Sequence, residues 1–246
     1  MAEILSIAET IVRGSKQKKV INTIQEWLCL NGQSTKIDGD YGPATEVAVI
    51  NFQKNTGLMQ TGKVDPLTFE KLVSPMKSLS QTTLSGNGGL LPAVVELTLK
   101  YLEAHPMEVG GQNMGPWVRY FMDGYQGNAW PWCAGFNTFI VKQAAKLCAI
   151  PTALPRTYSC DILGMWAKNN GKFISGTSGN LSAVKPGHLF LVRKSQHDWQ
   201  HTGIVIEMTP EYCVTIEGNT NDEGSREGYE VCKRSRGFKT LDFVVY

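Results

Sequence analysis

The sequence lacks any long apolar segment and any excess of charge of one sign. The most apolar of its long uncharged runs, residues 124–141, is interrupted by Gln126, Asn128 and Pro131. It falls short of the ~20 consecutive apolar residues that a membrane-spanning helix needs. The 24 Lys and Arg residues nearly balance the 22 Asp and Glu residues, whereas proteins that neutralise nucleic-acid phosphates are usually strongly basic. We therefore expect no membrane insertion and no nucleic-acid partner.

Cysteines at metal-binding or redox spacing are also absent. The six cysteines are scattered, and no two of them form a CxxC motif. The N-terminus has no basic stretch before its first apolar residues, which Glu3 and Glu9 interrupt, so it does not resemble a secretory signal. We expect a chain made in the cytoplasm, with reduced thiols and no cofactor. Cys213 and Cys232 fall on neighbouring predicted strands, and whether they pair is left open.

A change in composition divides the chain. The stretch from Ser74 to Pro92 is rich in Ser, Thr, Gly and Pro and has no sustained apolar period, which is typical of a linker. At roughly 100 to 200 residues per domain, the length allows one large domain or two small ones. We predict a small domain at residues 1–73, a linker at 74–92 and a larger domain at 93–246.

The first domain is predicted to consist of three short helices. Apolar residues at helical spacing indicate a helix over 17–30. Pro43 and Pro66 each fit the first turn of a further helix, where a proline loses no hydrogen bond. Between the first two helices, the segment 37–42 combines glycines and aspartates in a pattern typical of a turn.

These residues resemble the three-helix peptidoglycan-binding domain of bacterial and phage cell-wall hydrolases, over about residues 17–73. The likeness is carried by helix, turn and glycine positions, namely Ile24-Gln25, Leu28, Gly32, Ile37 to Gly42, Thr45, Phe52-Gln53, Gly57-Leu58, Gly62, Val64 and Leu72. It implies a shallow groove for wall glycan and peptide beside the turn, with Asp40 and Tyr41 as contact residues. A tethering or docking role is the alternative.

One cysteine of the larger domain occupies a position that favours reactivity. Apolar residues recur after it at three- and four-residue steps, at Phe136, Phe139, Ile140, Ala144 and Leu147. A helix is therefore predicted to begin close to Cys133. Unpaired backbone N–H groups and the positive end of the helix dipole stabilise a thiolate there. Cys133 is the candidate nucleophile, and such a thiol needs a nearby base.

His201 is the best candidate for that base. Residues 202–207 and 212–219 predict two strands of an antiparallel hairpin. If the hairpin is symmetric about the middle of its turn, His201 lies directly opposite Glu217, and the carboxylate can orient the imidazole. A one-residue slip would place the two side chains on opposite faces. Asn219 has the same parity and is the alternative orienting group.

Two further interpretations concern residues near these candidates. His197 and His201 have a spacing that would suit zinc on a helix, but the residues between them predict a loop that enters a strand, so we expect no metal site. Several aromatic residues could wall a substrate cleft, with core packing as the alternative for each, namely Tyr120, Trp130, Trp132 and Trp199.

The segments 131–136, 185–188, 201–205 and 217–219 together resemble the CHAP amidohydrolase/peptidase domain, a relative of the NlpC-type papain-like fold. Gly115-Pro116 with Tyr120 fits the version attached to wall lysins. The resemblance implies an α+β fold in which an antiparallel sheet packs on helices, preceded here by the small three-helix bundle. It assigns the nucleophile to Cys133, the base to His201, the orienting carboxylate to Glu217 and a further polar role to Asn219.

Together the two resemblances predict a phage-type endolysin, a monomeric peptidoglycan hydrolase that acts at the bacterial wall or periplasm after release. It would cleave an amide of the wall peptide, with N-acetylmuramoyl-L-alanine amidase favoured over endopeptidase. An injected antibacterial effector of the same chemistry is one alternative. A non-catalytic wall-binding or virion structural protein is a second, and a thiol acyltransferase acting on another substrate is a third.

Overall fold

Helices and an antiparallel sheet make up the computed structural model, which describes residues 3–86, 88–177, 180–221 and 228–246. The α-helices in these ranges are α1 Lys18–Leu30, α2 Pro43–Asn55, α3 Pro66–Leu72, α4 Ser74–Ser80, α5 Leu90–Ala104, α6 Pro116–Phe121, α7 Cys133–Cys148 and α8 Cys160–Asn169. The strands are β1 Phe173–Ser175, β2 Leu189–Ser195, β3 Asp198–Met208, β4 Tyr212–Thr220, β5 Glu230–Gly237 and β6 Leu241–Val244. The predicted α+β class is confirmed.

The chain divides into two units, but not at the predicted positions. The first unit comprises Met1–Thr82 and Met107–Gln126, and the second comprises Thr83–Pro106 and Gly127–Tyr246. The segment predicted as a linker begins with α4, because Met76 and Leu79 are apolar enough to be buried despite the serines around them.

Residues 107–126, which the composition predicts in the larger domain, lie in the first unit, because their aromatic residues pack there. The ring of Trp117, on α6, meets that of Trp27, on α1, edge to face at 5.8 Å. Trp117 also stacks on Phe121 at 5.9 Å. Short-range composition could not reveal this return of the chain to the first unit.

Two buried glutamines hold the turns of the first unit. The Gln25 side chain accepts hydrogen bonds from the backbone N–H groups of Asp38 and Gly39, and its amide donates to the Asp40 carbonyl and to Thr45 Oγ1. The side chains of Gln25 and of Gln53, the second of these glutamines, are almost completely buried. Each therefore links a turn to its helix by hydrogen bonds inside an otherwise apolar bundle.

Gln53 repeats the arrangement one helix later. Its side chain accepts from the backbone N–H of Gly62 and donates to the Lys63 carbonyl and to Thr68 Oγ1. Gly39 and Gly62 both have φ near +70° (73° and 65°), which a glycine adopts without strain. In both turns, a buried glutamine bonds the backbone next to a glycine with positive φ. The sequence analysis does not predict this shared arrangement.

The second unit is built on one antiparallel sheet with the strand order β1-β6-β2-β3-β4-β5. Helix α7 packs on β3 and β4, α5 packs on α7, and α8 packs on β3. The other face of the sheet buries an apolar cluster that includes Phe190, Val205 and Phe243. Because β4 is covered on both faces, nearly all of its residues are buried.

The β3–β4 hairpin forms as predicted, but its register differs from the symmetric one. Ile204 pairs with Ile216 and Val205 with Thr215, and an irregularity follows before Glu207. The partners of Ile204 and Val205 are shifted by two residues, so that part of the hairpin keeps the predicted faces, whereas beyond the irregularity Glu207 and Met208 are shifted by three. Cys213 pairs with Arg236 and Cys232 with Glu217; all six cysteines are free thiols.

Replacing Gln25 by leucine tests whether its buried hydrogen bonds stabilise the first unit. The Gln25→Leu variant keeps the volume but leaves the N–H groups of Asp38 and Gly39 without their acceptor, so we expect the free energy of opening of the first unit to fall by about 1–3 kcal/mol. Hydrogen exchange of the α1 amides in the full chain measures it. The exposed Gln60→Leu is the control, with an expected change within about 0.5 kcal/mol. Equal protection of α1 in both variants would contradict the role of Gln25.

Candidate active site

Cys133 is the first residue of α7, as the apolar spacing predicts. It is 5% exposed. No described side chain caps this end of the helix, so its first-turn N–H groups stay available to the site. The backbone N–H of Trp132, the residue before the helix, donates to Asn219 Oδ1 at 2.7 Å. The start of α7 is therefore anchored to β4.

His201, on β3, lies between Cys133 and Glu217. Its Nε2 is 2.8 Å from Glu217 Oε2, and Cys133 is close enough to the ring to shift its pKa. Burial lowers the pKa of His201, but the hydrogen bonds to Cys133 and Glu217 outweigh it and raise the pKa to about 9. The imidazole is therefore protonated at neutral pH.

Glu217 is fully buried and accepts from three side chains. Arg236 donates from Nε and Nη2, each at 2.5 Å, and Thr215 Oγ1 donates at 2.6 Å. Burial raises the pKa of Glu217, but the hydrogen bonds from Arg236 and His201 outweigh it and lower the pKa to about 2. Of the two orienting groups considered, Glu217 is the one that bonds the imidazole.

The glutamate reaches the histidine diagonally across the sheet. Continuing the observed register by one pair places Gly203, not His201, opposite Glu217. A Cβ atom on Gly203 would lie 2.7 Å from Glu217 Cγ. The glycine thus leaves the space through which the carboxylate crosses β3, and the predicted pairing on one face survives the two-residue shift.

Asn219 does not orient the His201 imidazole, which was the alternative role suggested by its position on the same strand face as Glu217. Its Oδ1 accepts from Trp132, and its Nδ2 donates to the Gly228 carbonyl at 3.1 Å. With φ of +57°, it occupies the left-handed region, which asparagine tolerates better than most residues. Asn219 therefore supports the backbone that presents Cys133 rather than the imidazole.

Cys160 is a site residue that the sequence reading missed. It is the first residue of α8, whose N-terminus is capped by Ser159, and its Sγ lies 3.8 Å from that of Cys133. Asp161 Oδ1 accepts from the backbone N–H of Trp199 at 2.7 Å, which ties α8 to β3. The Ser-Cys-Asp sequence at the start of an apolar period predicts the start of a helix. It does not predict that this end of α8 lies against the start of α7.

The surroundings of Cys133 favour its thiolate form. A hydrogen bond from Cys160 is the largest contribution that lowers its pKa; burial opposes it, and His201 and the backbone N–H of Ala134 add to the lowering. The net pKa of Cys133 lies well below the usual range for a thiol. With His201 protonated, the pair at neutral pH is a thiolate and an imidazolium, the reactive form of a cysteine nucleophile.

Two of the predicted cleft residues of this unit are core residues. Trp132 is fully buried and packs edge to face on Phe136 at 6.4 Å. Trp199 is 3% exposed, and its indole N–H donates to Asp242 at 2.8 Å. Neither ring can therefore meet a substrate, because each is taken up by neighbours in the core.

An open cleft of about 270 Å³ is formed instead by the chain segments that lead into α7 and α8. It is lined by the residues that immediately precede the two cysteines and by one residue of α8, namely Ala129, Trp130, Pro131, Thr157, Tyr158, Ser159 and Ile162. Trp130 and Tyr158 meet edge to face at 6.1 Å. Of the aromatic candidates, Trp130 is the one that this cleft uses.

The three candidate binding residues of the first unit, Tyr41, Tyr120 and Asp40, differ in their exposure and contacts. The Tyr41 hydroxyl donates to the Gly62 carbonyl at 2.9 Å, and the side chain is only 1% exposed, so it braces the turn. Tyr120 is half-buried against Trp117 on α6. Asp40 is exposed, and its carbonyl accepts from Gln25.

The first unit has its own cleft of about 450 Å³. Helix α1, the following turn and the returning segment line it, with Lys19, Asn22, Glu26, Ile37, Met114, Arg119 and Gln126 among its residues. Arg119 is hydrogen-bonded to Glu3 at 2.8 Å and to Glu26 at 2.7 Å. Asp40 and Tyr41 do not line it, whereas Ile37 of the same turn does.

Within residues 3–86, 88–177, 180–221 and 228–246, no three His, Cys, Asp or Glu side chains are grouped so that they could hold a metal ion. Over the same ranges, every helix is too short or too polar to cross a membrane.

Residues 17–72 match a protein family described as "Putative peptidoglycan binding domain". The match confirms the predicted peptidoglycan-binding domain of the N-terminal region and associates the chain with the bacterial cell wall. The chain matches none of the curated proteins and none of the solved structures with which it was compared.

Alkylation of Cys133 tests the ion pair. At about pH 6, a cysteine with the ordinary pKa of about 8.5 is less than about 1% thiolate, whereas we expect Cys133 to react with iodoacetamide as a thiolate. Removing the imidazolium in His201→Ala should raise the Cys133 pKa and slow alkylation at this pH at least about tenfold. Mass spectrometry of the modified peptide measures the rate. His197→Ala, at an exposed position in the turn before β3, should leave the rate unchanged. Equal alkylation rates in all three proteins at this pH would contradict the pair.

Proposed function

We propose that this protein is a cysteine peptidoglycan hydrolase of the endolysin type. The observation that carries the proposal is that Cys133, the first residue of a helix, lies beside His201, which is hydrogen-bonded to the buried Glu217, in a chain that also contains a peptidoglycan-binding domain. The helix with a cysteine at its first residue, packed on an antiparallel sheet that carries the histidine and the carboxylate, supports a CHAP-type, papain-like second unit.

The proposed reaction begins with the thiolate. Cys133 attacks an amide carbonyl of the wall peptide, and the first-turn N–H groups of α7 are placed to stabilise the tetrahedral oxyanion. His201, protonated at neutral pH, gives its proton to the leaving amine as the C–N bond breaks. The neutral imidazole then takes a proton from water, which attacks the thioester and releases the carboxylate and the Cys133 thiolate.

Glu217 has a supporting task in this scheme. It accepts from one imidazole nitrogen, so the other nitrogen points toward Cys133, and its negative charge stabilises the imidazolium. Arg236 keeps the carboxylate ionised. All of the proposed catalytic groups lie in one chain, so the reaction as proposed needs no residue from a second copy.

The bond that we favour is the amide between N-acetylmuramic acid and L-alanine, with cleavage within the peptide as the alternative. The released fragments distinguish them, because an amidase yields free stem peptides and bare glycan, whereas an endopeptidase leaves peptide on the glycan. We propose that the enzyme reaches the wall after release from the cytoplasm, and an injected effector of the same chemistry would cleave in the same way.

Loss of the nucleophile is the direct test. In Cys133→Ala, we expect release of soluble fragments from purified sacculi, followed by mass spectrometry, to fall at least about a thousandfold. Cys148→Ala is the matched control, because it removes a thiol from the last residue of the same helix, and it should cleave as the wild type does. Full activity in Cys133→Ala would instead favour a second catalyst or a non-catalytic wall-binding protein.

We also propose that the first unit binds the wall through its 450 Å³ cleft. Arg119 is ion-paired with both Glu3 and Glu26, so one of these two negative charges remains to be balanced, and Lys19 at the edge of the cleft brings the net charge of its lining to zero. Lys19 is exposed, and its ammonium is placed where it can contact carboxylates of the wall peptides. The apolar Ile37 and Met114 offer contact area for sugar or peptide.

Charge reversal at the edge of the cleft tests this assignment. Lys19→Glu should weaken co-sedimentation with sacculi about fivefold, equivalent to about 1 kcal/mol. The Cys133→Ala background prevents digestion during the measurement. Lys54→Glu makes the same charge change at an exposed position on α2 that does not line the cleft. Equal weakening by both variants would show that net charge, not the cleft, controls binding.

A further inference from the structure

We propose that Cys133 and Cys160 form a modification site at which a peroxide converts the two thiols into a reversible disulfide. The pairing concerns the thiols alone, and its effect on wall cleavage rests on the proposed function. The disulfide would block the nucleophile and at the same time protect it from irreversible oxidation.

The geometry singles out this pair of cysteines. Their sulfurs lie 3.8 Å apart, and each cysteine is the first residue of its helix. By contrast, Cys29, Cys148 and Cys213 each direct their thiol to a backbone carbonyl. A Cys133 sulfur that becomes oxidised therefore has a second thiol already beside it.

The environment of each sulfur suits its part in the reaction, which is oxidation by peroxide at Cys133 and the subsequent attack by Cys160. Cys133 is a thiolate, the form that peroxides oxidise. Cys160 is 8% exposed, and its pKa is held well above the usual range, first by the hydrogen bond to Cys133 and then by burial. Cys160 therefore stays a protonated thiol while Cys133 is the thiolate. Loss of that negative charge on oxidation removes the main cause of the raised pKa and allows Cys160 to act as a nucleophile.

The first step forms an S–O bond. The Cys133 thiolate attacks one peroxide oxygen, the O–O bond breaks, and the leaving oxygen takes the proton of the His201 imidazolium to become water or an alcohol. The sulfur is oxidised to sulfenic acid by two electrons, and the peroxide is reduced by the same two.

The second step forms the S–S bond. The Cys160 sulfur attacks the Cys133 sulfur, the S–O bond breaks, and the departing hydroxide leaves as water with the Cys160 proton. A dithiol reductant reverses the outcome by exchange, which regenerates both thiols and leaves the reductant oxidised. Without Cys160, the sulfenic acid would proceed to the sulfinic and sulfonic acids, which a dithiol does not reduce.

The experiment treats the full chain with hydrogen peroxide and then with dithiothreitol. It compares the wild type with Cys160→Ser, which keeps a donor beside Cys133, and with Cys213→Ser as a matched buried-thiol control. Peptide mass spectrometry without reduction should reveal a peptide cross-linked between Cys133 and Cys160 in the wild type and in Cys213→Ser. In Cys160→Ser, Cys133 should instead carry sulfinic or sulfonic acid.

Wall cleavage is the second readout, with each protein compared to its own untreated sample. Peroxide should abolish cleavage in all three proteins, and dithiothreitol should restore it in the wild type and in Cys213→Ser but not in Cys160→Ser. Over-oxidised Cys133 in the wild type, or a cross-link to another cysteine, would overturn the proposal. If the untreated protein does not cleave sacculi but the cross-link forms, the hydrolase proposal fails and the thiol pairing stands.

Discussion

A buried carboxylate organises the second unit around its candidate active site. Glu217 has no exposed surface, and an unpaired charge in such a position would cost several kcal/mol. Its partners are Arg236 on β5, His201 on β3 and Thr215 on its own strand. Three neighbouring strands must therefore keep their register for the charge to be satisfied, and the same register holds the imidazole toward Cys133.

The site is a row of alternating charges. Arg236 and His201 are positive and Glu217 is negative, and the surroundings of Cys133 favour its negative form, so the row of three buried groups and the half-buried Arg236 is neutral overall. Such a row stabilises each charged form only while its neighbours stay in place, because burial by itself opposes every one of them. The first-turn N–H groups of α7 and the Cys160 thiol add donors at the sulfur end, which is where the proposed chemistry takes place.

Local patterns predicted much of this arrangement. Pro43 and Pro66 mark the starts of α2 and α3, the apolar spacing after Cys133 marks α7, and the two strand patterns around residue 209 form the hairpin. The partnership of His201 with Glu217 was predicted from an inexact register. It survives because a two-residue shift keeps side chains on the same face, and because Gly203 leaves room for the diagonal contact.

The sequence by itself determined which residues begin helices, which strand residues share a face, and that a peptidoglycan-binding domain occupies the N-terminal region. These features depend on neighbours within a few turns or a short hairpin. Tertiary structure alone decided that Cys160 meets Cys133, that Arg236 pairs with Glu217, that Trp132 and Trp199 are buried, and that residues 107–126 return to the first unit. Those contacts join residues far apart in the chain, and helical or strand periodicity carries no information about which distant surface an element will meet.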